Sequence, residues 1–594
     1  MTDNAEVHHP TKGQDANPLT ELVENLEKGP GDNPIDMEIT LESEDGPWLP
    51  FLRRRIPMML RMSIIYLAVL NVGFDMSIAN TTLGMPSFRK YFGYEQSPGV
   101  WQISSVHQAG WTGGTAAGQV IMDIPGGWLA DRFGRRFTLT LSVIIIIVAS
   151  TVQVTAQNIA AIIAGKITFG MGSGLYISFC TSYTAELASP RLRGIACMAV
   201  NLCIQGGMWV GSGAALGLTQ SYPDINDTRS WRYIFAFQYI FAGLYLLGCY
   251  WLTESPVFYI HHEKYEKAER SIRELYGDDY DVKRHLAFLV KTSEAERQIR
   301  KAGKSISYKE LFQGRNLIRM MISACIIAPI LMGTAFWPNY QTYYFEMAGV
   351  GNAQAMNYGA TSVAIGTSIL AWFLVESVGR RKLWLLGATG MTIANLIGGF
   401  MWIPHNTGNP KMAGKIATAF VFIWNGFYDI GPANMGYAIT SEVPSSRVRV
   451  RNNAFVHVFS HLTNMVVSYV VPYLYNNDSH SLGLGYRMGF VWAVFGAVIV
   501  IWGWFFIPNV AGLNAYEIDQ LFESKASPRK FDNAKFDDND RLVPESVFKT
   551  AYAYQELVVW RQVYCEHPRG ERVETMGAEC CNFEVKRAYV KLRG

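Results

Sequence analysis

The chain is short of charge for its length. Of 594 residues only 17% are Asp, Glu, Lys or Arg, while 49% are apolar and 13% aromatic. A soluble enzyme of this size carries closer to a quarter charged residues, so lipid rather than water is the expected solvent for most of the chain. The formal charge of +3 is small, and no basic stripe interleaved with aromatics occurs, which removes nucleic acid from the expected partners. The eight cysteines lack metal-ligand spacing. Cys180, Cys197, Cys203 and Cys325 stand singly in apolar runs, where small buried residues are expected rather than ligands or disulfides. A G-x-x-x-x-G-K-[ST] loop and a nucleophile constellation are both missing, so ATP hydrolysis and enzymatic chemistry are not indicated and no cofactor is expected. The energy for any work must come from a gradient.

What the chain has instead is long hydrophobic runs. A hydrocarbon core about 30 Å thick needs about 20 apolar residues per helix, and twelve such runs can be placed. Six lie near 60–82, 104–127, 137–156, 158–180, 194–217 and 232–253. Six more lie near 318–344, 356–376, 383–404, 414–438, 453–475 and 486–508. The expected fold is an all-α membrane protein with twelve transmembrane helices in two six-helix halves, 53–253 and 318–510. A charged stretch with helical periodicity, 254–317, joins them as a cytoplasmic linker. Residues 1–52 read as a disordered acidic tail, since the first fifty hold twelve Asp and Glu against two Lys. Residues 511–594 form a second cytoplasmic tail. Arg53, Arg54, Arg55 and Arg61 precede the first run, and most other loop arginines fall on that same side, so the positive-inside rule puts both termini in the cytoplasm.

One cassette is written twice. Asp131-Arg132-Phe133-Gly134-Arg135-Arg136 is answered by Glu376-Ser377-Val378-Gly379-Arg380-Arg381, with 245 positions between the two glycines. Glu186, followed by Arg191 and Arg193, is answered by Glu442, followed by Arg447 and Arg449, with 256 positions between the glutamates. A duplicated membrane half is the plan of many secondary transporters. At helix ends on one membrane face these guanidinium groups can pair with Glu186, Glu442 or Glu376 in a neighbouring bundle, and such pairs would latch the cytoplasmic side shut. The competing reading is that the arginines only enforce topology against anionic headgroups.

An ionisable group at membrane depth costs several kcal/mol unless it has a partner. Asp75 stands in the middle of the first run and Lys166 early in the fourth. A static ion pair joining two helices is one reading, and a proton-linked pair is the other. Polar aromatic runs in the seventh and tenth spans supply amides, hydroxyls and ring faces: Asn339, Tyr340, Gln341, Tyr343 and Tyr344, then Trp424, Asn425 and Tyr428. Such groups suit a polyhydroxylated ligand, although half of the aromatics fit an interfacial belt equally well. Gly431-Pro432 reads as a hinge or helix break.

The cassettes, together with Gly73-Phe74-Asp75, Trp231-Arg232, Glu254-Ser255-Pro256 and Glu517-Ile518-Asp519-Gln520-Leu521-Phe522, resemble the sugar porters of the major facilitator superfamily over residues 60–530. Tyr428-Asp429-Ile430-Gly431-Pro432 running into Glu442-Val443-Pro444-Ser445-Ser446-Arg447 resembles the fungal α-glucoside permeases. The resemblance implies proton-coupled sugar uptake across a plasma membrane, with sugar, proton and bilayer as partners and no obligate protein partner. It assigns proton coupling to Asp75 and Lys166, where relatives commonly hold Asp and Arg. It also makes Gln205, with Gly207 and Gly211 behind it, the fifth-span sugar ligand. The stretch Cys325 to Gly333 departs from glucose-type relatives, which place Gln there, so a polyol or an organic acid such as quinate stays open as substrate. A non-transporting sugar sensor is the remaining alternative.

Overall fold

The computed structural model describes residues 48–277, 280–301, 308–349, 351–445, 448–476, 481–510, 515–524 and 527–533. Most of both predicted tails, and Arg447 of the second cassette, lie outside the described residues. The described chain is helical apart from one short hairpin, Tyr94–Ser97 against Val100–Gln102. It divides into one unit ending at Ala511 and a second from Gly512, in which Ala515–Glu523 forms a short helix.

The first unit places helices at the twelve expected spans, with further helices before the first span, after the first and ninth, and between the halves, Pro256–His261, Tyr265–Tyr276 and Val282–Lys301. The first half has α1 Ile56–Leu83, α2 Ser105–Phe133, α3 Arg135–Thr155, α4 Ile159–Leu187, α5 Pro190–Ser221 and a two-piece α6, Arg229–Ala236 and Gln238–Gly248. The second has α7 in pieces Gly314–Ser323, Ile330–Thr334 and Trp337–Met347, then α8 Ala353–Val378 and α9 Arg380–Phe400. It continues with α10, Pro410–Tyr428 prolonged through Asp429–Ala433 to Asn434–Glu442, then α11 Arg449–Tyr475 and α12 Met488–Phe506. Several are longer than the sequence runs: α5 has 32 residues, which at about 1.5 Å per residue exceeds the hydrocarbon thickness.

Seven helices, among them α1, α3, α8 and α12, are long and apolar enough to cross a bilayer by length and composition. The other five miss that test for physical reasons. Helices α2 and α5 are rich in Gly, Ser, Thr and Gln, some packed within their own half, as Gly118 and Gln119 of α2 against α4 and Gly207 of α5 against α1, and some bonded across the seam, as Thr112 and Gln205. Helices α6, α7 and α10 are interrupted. In α7, Pro329 removes a backbone donor and Gly333 takes a φ of +111°, a conformation that disfavours any side chain. In α10, Asp429–Ala433 forms a π turn around Pro432, the break expected at Gly431-Pro432.

Packing follows the duplication. Within the halves, α1 lies against α5 and α2 against α4, while α8 lies against α10 and α9 against α12. Glycine sets the closest approaches: a Cβ on Gly73 would collide with the Ile204 carbonyl of α5, and one on Gly207 with the Leu70 carbonyl of α1. Between the halves α2 meets α11, α5 meets α8, and α1 meets α7. The twin cassettes form twin turns. Gly134 (φ 97°, ψ 164°) links α2 to α3, and Gly379 (φ 89°, ψ 151°) links α8 to α9, so both positions use a backbone conformation that favours glycine.

Candidate functional site

Five helices of the first half converge on one charge. Asp75 of α1 is 2% exposed and Lys166 of α4 is fully buried. The Lys166 Nζ bridges both carboxylate oxygens, at 2.8 Å from Oδ1 and 2.9 Å from Oδ2. From α6, Gln238 Nε2 donates to Oδ1 at 2.9 Å, and Ser150 of α3 donates in turn to Gln238 Oε1. The ammonium also lies 4.8 Å from the centre of the Trp111 ring of α2 and 5.8 Å from that of Phe169. A buried pair holds its charges only when geometry and hydrogen bonding are this complete, because desolvation of two ions otherwise exceeds their attraction.

Beside this pair, amides span the seam between the halves. Gln205 of α5 donates from Nε2 to Asp429 Oδ1 of α10 at 2.6 Å, and one turn away Asn201 donates to Asn434 Oδ1 at 2.9 Å. Asn434 itself donates to Ser368 of α8 at 3.2 Å. A second chain runs from Asn80 of α1 to Asn357 Oδ1 of α8 (2.9 Å), which also accepts from Gln341 of α7 (3.1 Å). Gln341 Oε1 then accepts from Asn425 of α10 at 3.0 Å. Two buried atoms on these chains, Asp429 Oδ2 and Asn357 Nδ2, and beside them Trp424 Nε1, make no hydrogen bond among the described residues. An orphaned buried donor or acceptor costs about 1–3 kcal/mol, so these are the atoms a ligand hydroxyl would satisfy. Tyr428 stacks on Trp424, ring centres 5.4 Å apart at 16°.

The predicted ligand residues therefore divide. Gln205, Gln341 and Asn425 enter the amide chains, and Trp424 and Tyr428 form one aromatic face beside them. Tyr340 instead ties α7 to α2 through Thr112 Oγ1 at 3.0 Å, and Tyr343 ties α7 to the hairpin by accepting from Gln102 Nε2 at 3.0 Å. Asn339 donates to the Ala335 carbonyl of its own helix at 3.0 Å and joins neither chain. Sequence reasoning passed over Asp429, Asn201, Asn357, Asn434, Asn80 and Gln238. Asp429 carries the signal that singled out Asp75, an acid inside an apolar run.

The cassettes show ion pairs inside each half. Arg135 Nη2 is 3.3 Å from Glu186 Oε1, and its Nη1 is 3.4 Å from Asp131 Oδ1. Its counterpart Arg380 Nη2 is 2.9 Å from Glu442 Oε1. Each contact uses a single carboxylate oxygen, and they tie a helix start to a helix end in the same half rather than pairing with the neighbouring bundle as the sequence suggested. Glu254, after α6, accepts the backbone N–H of Arg135 at 2.9 Å and of Arg136 at 3.1 Å, capping α3. Burial pushes its carboxyl up from the usual range, opposed by those amides. Asn509 holds the corresponding place beside Gly379. Arg132 is exposed beside Trp128 and Phe133, and Arg381 donates to the Trp504 carbonyl of α12 at 2.7 Å. The side chains of Arg193 and Glu376 lie outside the described residues, as does Arg447.

At the opposite face the halves are joined directly. Arg89, after α1, pairs with Glu346 of α7. Gln354 of α8 donates to the Thr81 carbonyl of α1 at 3.0 Å, and Asn80 Oδ1 accepts the backbone N–H of Thr342 at 2.8 Å. The structure is thus closed at the face that carries the hairpin, away from the cassettes.

Known proteins share this plan. The family described as "Sugar (and other) transporter" matches residues 62–522. The MFS transporter fmqE of Aspergillus fumigatus is 27% identical, over 87% of this chain and 97% of its own. The alpha-glucosides permease MPH3 of Saccharomyces cerevisiae is 26% identical, over 84% of this chain and 82% of its own. The solved structure of the proton:xylose symporter XylE of E. coli superposes with a TM-score of 0.63 at 20% identity, over 78% of this chain and 99% of that one. The matched segment runs from α1 to the short helix after α12, and the chain belongs to the sugar transporter family, the sugar porters of the major facilitator superfamily.

Proposed function

We propose that this multi-pass membrane protein is a proton-coupled sugar symporter of the plasma membrane. It works by alternating access with both termini in the cytoplasm, and its sugar is an α-glucoside such as maltose. The observation that carries this reading is the juxtaposition of a buried, fully bonded Asp75–Lys166 pair with a seam of amides that has unsatisfied atoms for hydroxyl groups. Binding a proton at Asp75 removes one charge of the pair and frees Lys166, so the packing of α1 against α4 depends on proton occupancy. Sugar hydroxyls bind Gln205, Gln341, Asn425 and Asp429, and the sugar ring packs on the Trp424–Tyr428 face. Opening the seam breaks the Gln205–Asp429 and Asn201–Asn434 bonds, and the sugar's hydroxyls replace them.

A neutral ligand fits the charges better than quinate. The described groups along the amide chains are amides, the Ser368 hydroxyl and one carboxylate, and the nearby cation Lys166 is already bridged by Asp75; an anionic substrate would meet the charge of Asp429. The choice of an α-glucoside rests on the likeness to MPH3. With the arginine-rich loops cytoplasmic, closure at the hairpin face corresponds to an inward-facing arrangement. In the outward-facing one the cassette groups re-pair across the halves: Asp131, Arg132, Arg135, Arg136, Glu186 and Arg193 with Glu376, Arg380, Arg381, Glu442 and Arg447.

Expression in transport-deficient cells, with labelled maltose, glucose, a polyol and quinate and simultaneous recording of external pH, tests this. Uptake of maltose accompanied by alkalinisation is expected. Surface-expressed protein that takes up none of the panel contradicts it.

A further inference from the structure

Helices α2 and α11 meet across the seam between the halves. Toward the hairpin face their contact is neutral: Thr112 Oγ1 donates to the Ser468 carbonyl at 3.2 Å, and Asn476 Nδ2 donates to Ser105 Oγ at 2.9 Å. Toward the cassette face it becomes ionisable. His461 Nδ1 of α11 lies 2.5 Å from Asp123 Oδ2 of α2, with side-chain exposures of 12% and 2%. His457, one turn earlier on α11, has its ring centre 6.4 Å from that of His461. The charged groups acting on His457 are His461 and Asp123; of the other helices packed on α11, α7 carries Arg315 and Arg319 and α10 carries Asp429 and Glu442.

Neither residue belongs to the Asp75–Lys166 pair or to the amide chains, and burying an acid and an imidazole at membrane depth is costly for a contact that Ser and Asn make elsewhere on the same seam. An ionised carboxylate only accepts hydrogen bonds, so the imidazole donates from Nδ1 and its free valence is at Nε2. Imidazole is also the side chain whose ordinary titration falls near neutral pH. We propose that Nε2 of His461 is a proton-binding site on the seam. Its occupancy turns the His461–Asp123 bond into an imidazolium–carboxylate pair and tightens α2 against α11. The proton comes from water, rests on Nε2 and returns to water when the seam opens. This site differs in kind from Asp75–Lys166, which lies within one half; it joins the two halves directly. The inference rests on the two-half fold and does not need the sugar reading.

The test uses the purified full chain without substrate. Thermal unfolding of the wild type and of His461→Gln is compared from about pH 5 to about pH 9, the span around the imidazole titration. The wild type is expected to unfold at a higher temperature on the acid side, with the advantage shrinking toward zero on the alkaline side. Asp123→Asn should flatten the profile in the same way. A difference between wild type and variants that does not change with pH overturns the proposal. Should both variants misfold, hydrogen exchange of the wild type decides it: α2 and α11 around Asp123 and His461 are expected to be better protected at acid pH after correction for intrinsic rates, and equal protection overturns the proposal. Because no sugar is present, failure here and failure of the transport reading are separate results.

Discussion

Lys166 has no water to return to: it is fully buried, and both oxygens of Asp75 are engaged by it. Lys166→Met leaves the carboxylate with only the Gln238 amide, and breaking a buried pair from one side costs about 3–5 kcal/mol. The expected result is a large fall in the thermal unfolding temperature, mostly recovered in the double variant Asp75→Asn/Lys166→Met, where no lone charge remains. A double variant no more stable than the single one would mean that the pair is not what the site depends on. Asp75 and Lys166 were legible in the sequence because charge inside an apolar run is conspicuous. Asp429 obeys the same rule, but it stands inside the Tyr428–Pro432 motif that resembles the fungal α-glucoside permeases, which drew the eye to the motif rather than to its acid. The neutral amides were harder: Asn and Gln are tolerated in membrane helices, and nothing local announces that Gln238 reaches Asp75, 163 positions away.

At the scale of helices, the apolar runs located the spans, since a run of about 20 residues has few other uses. The irregularities were only partly visible. Gly431-Pro432 pointed to a hinge or helix break in α10, where the chain makes a π turn, whereas the break in α7, with Gly333 at positive φ, lies in a stretch whose only sequence signal is its lack of Gln. The α1–α5 contact depends on the absence of side chains at Gly73 and Gly207, where the opposing atoms are backbone and cannot yield. Gly73→Val is therefore expected to force the helices apart and destabilise the fold by about 1–3 kcal/mol or more, measured as a lower unfolding temperature and reduced monodisperse yield in detergent. Gly217, where an added Cβ meets nothing within 4 Å, is the control that should tolerate Ala. Equal behaviour at the two positions would show that close backbone approach does not limit this contact.

For the whole molecule, duplication was the strongest message in the sequence, and the fold carries it to the backbone angles of Gly134 and Gly379. The spacing of the cassettes identified the charged groups but could not reveal their partners. Which glutamate an arginine meets depends on how the two halves stand, and in this arrangement Arg135 and Arg380 each meet a glutamate of their own half. The halves are alike in their turns and unlike in their centres: the first holds an acid–base pair, and the second offers Asp429 to Gln205 across the seam. Proton coupling should accordingly reside in the first half, and it can be separated from sugar movement. The measurement is labelled-sugar transport in proteoliposomes by the wild type and Asp75→Asn, comparing accumulation under an imposed proton gradient with sugar-for-sugar exchange at equal pH. The predicted result is accumulation by the wild type only and exchange by both; accumulation by Asp75→Asn at the wild-type level would contradict it.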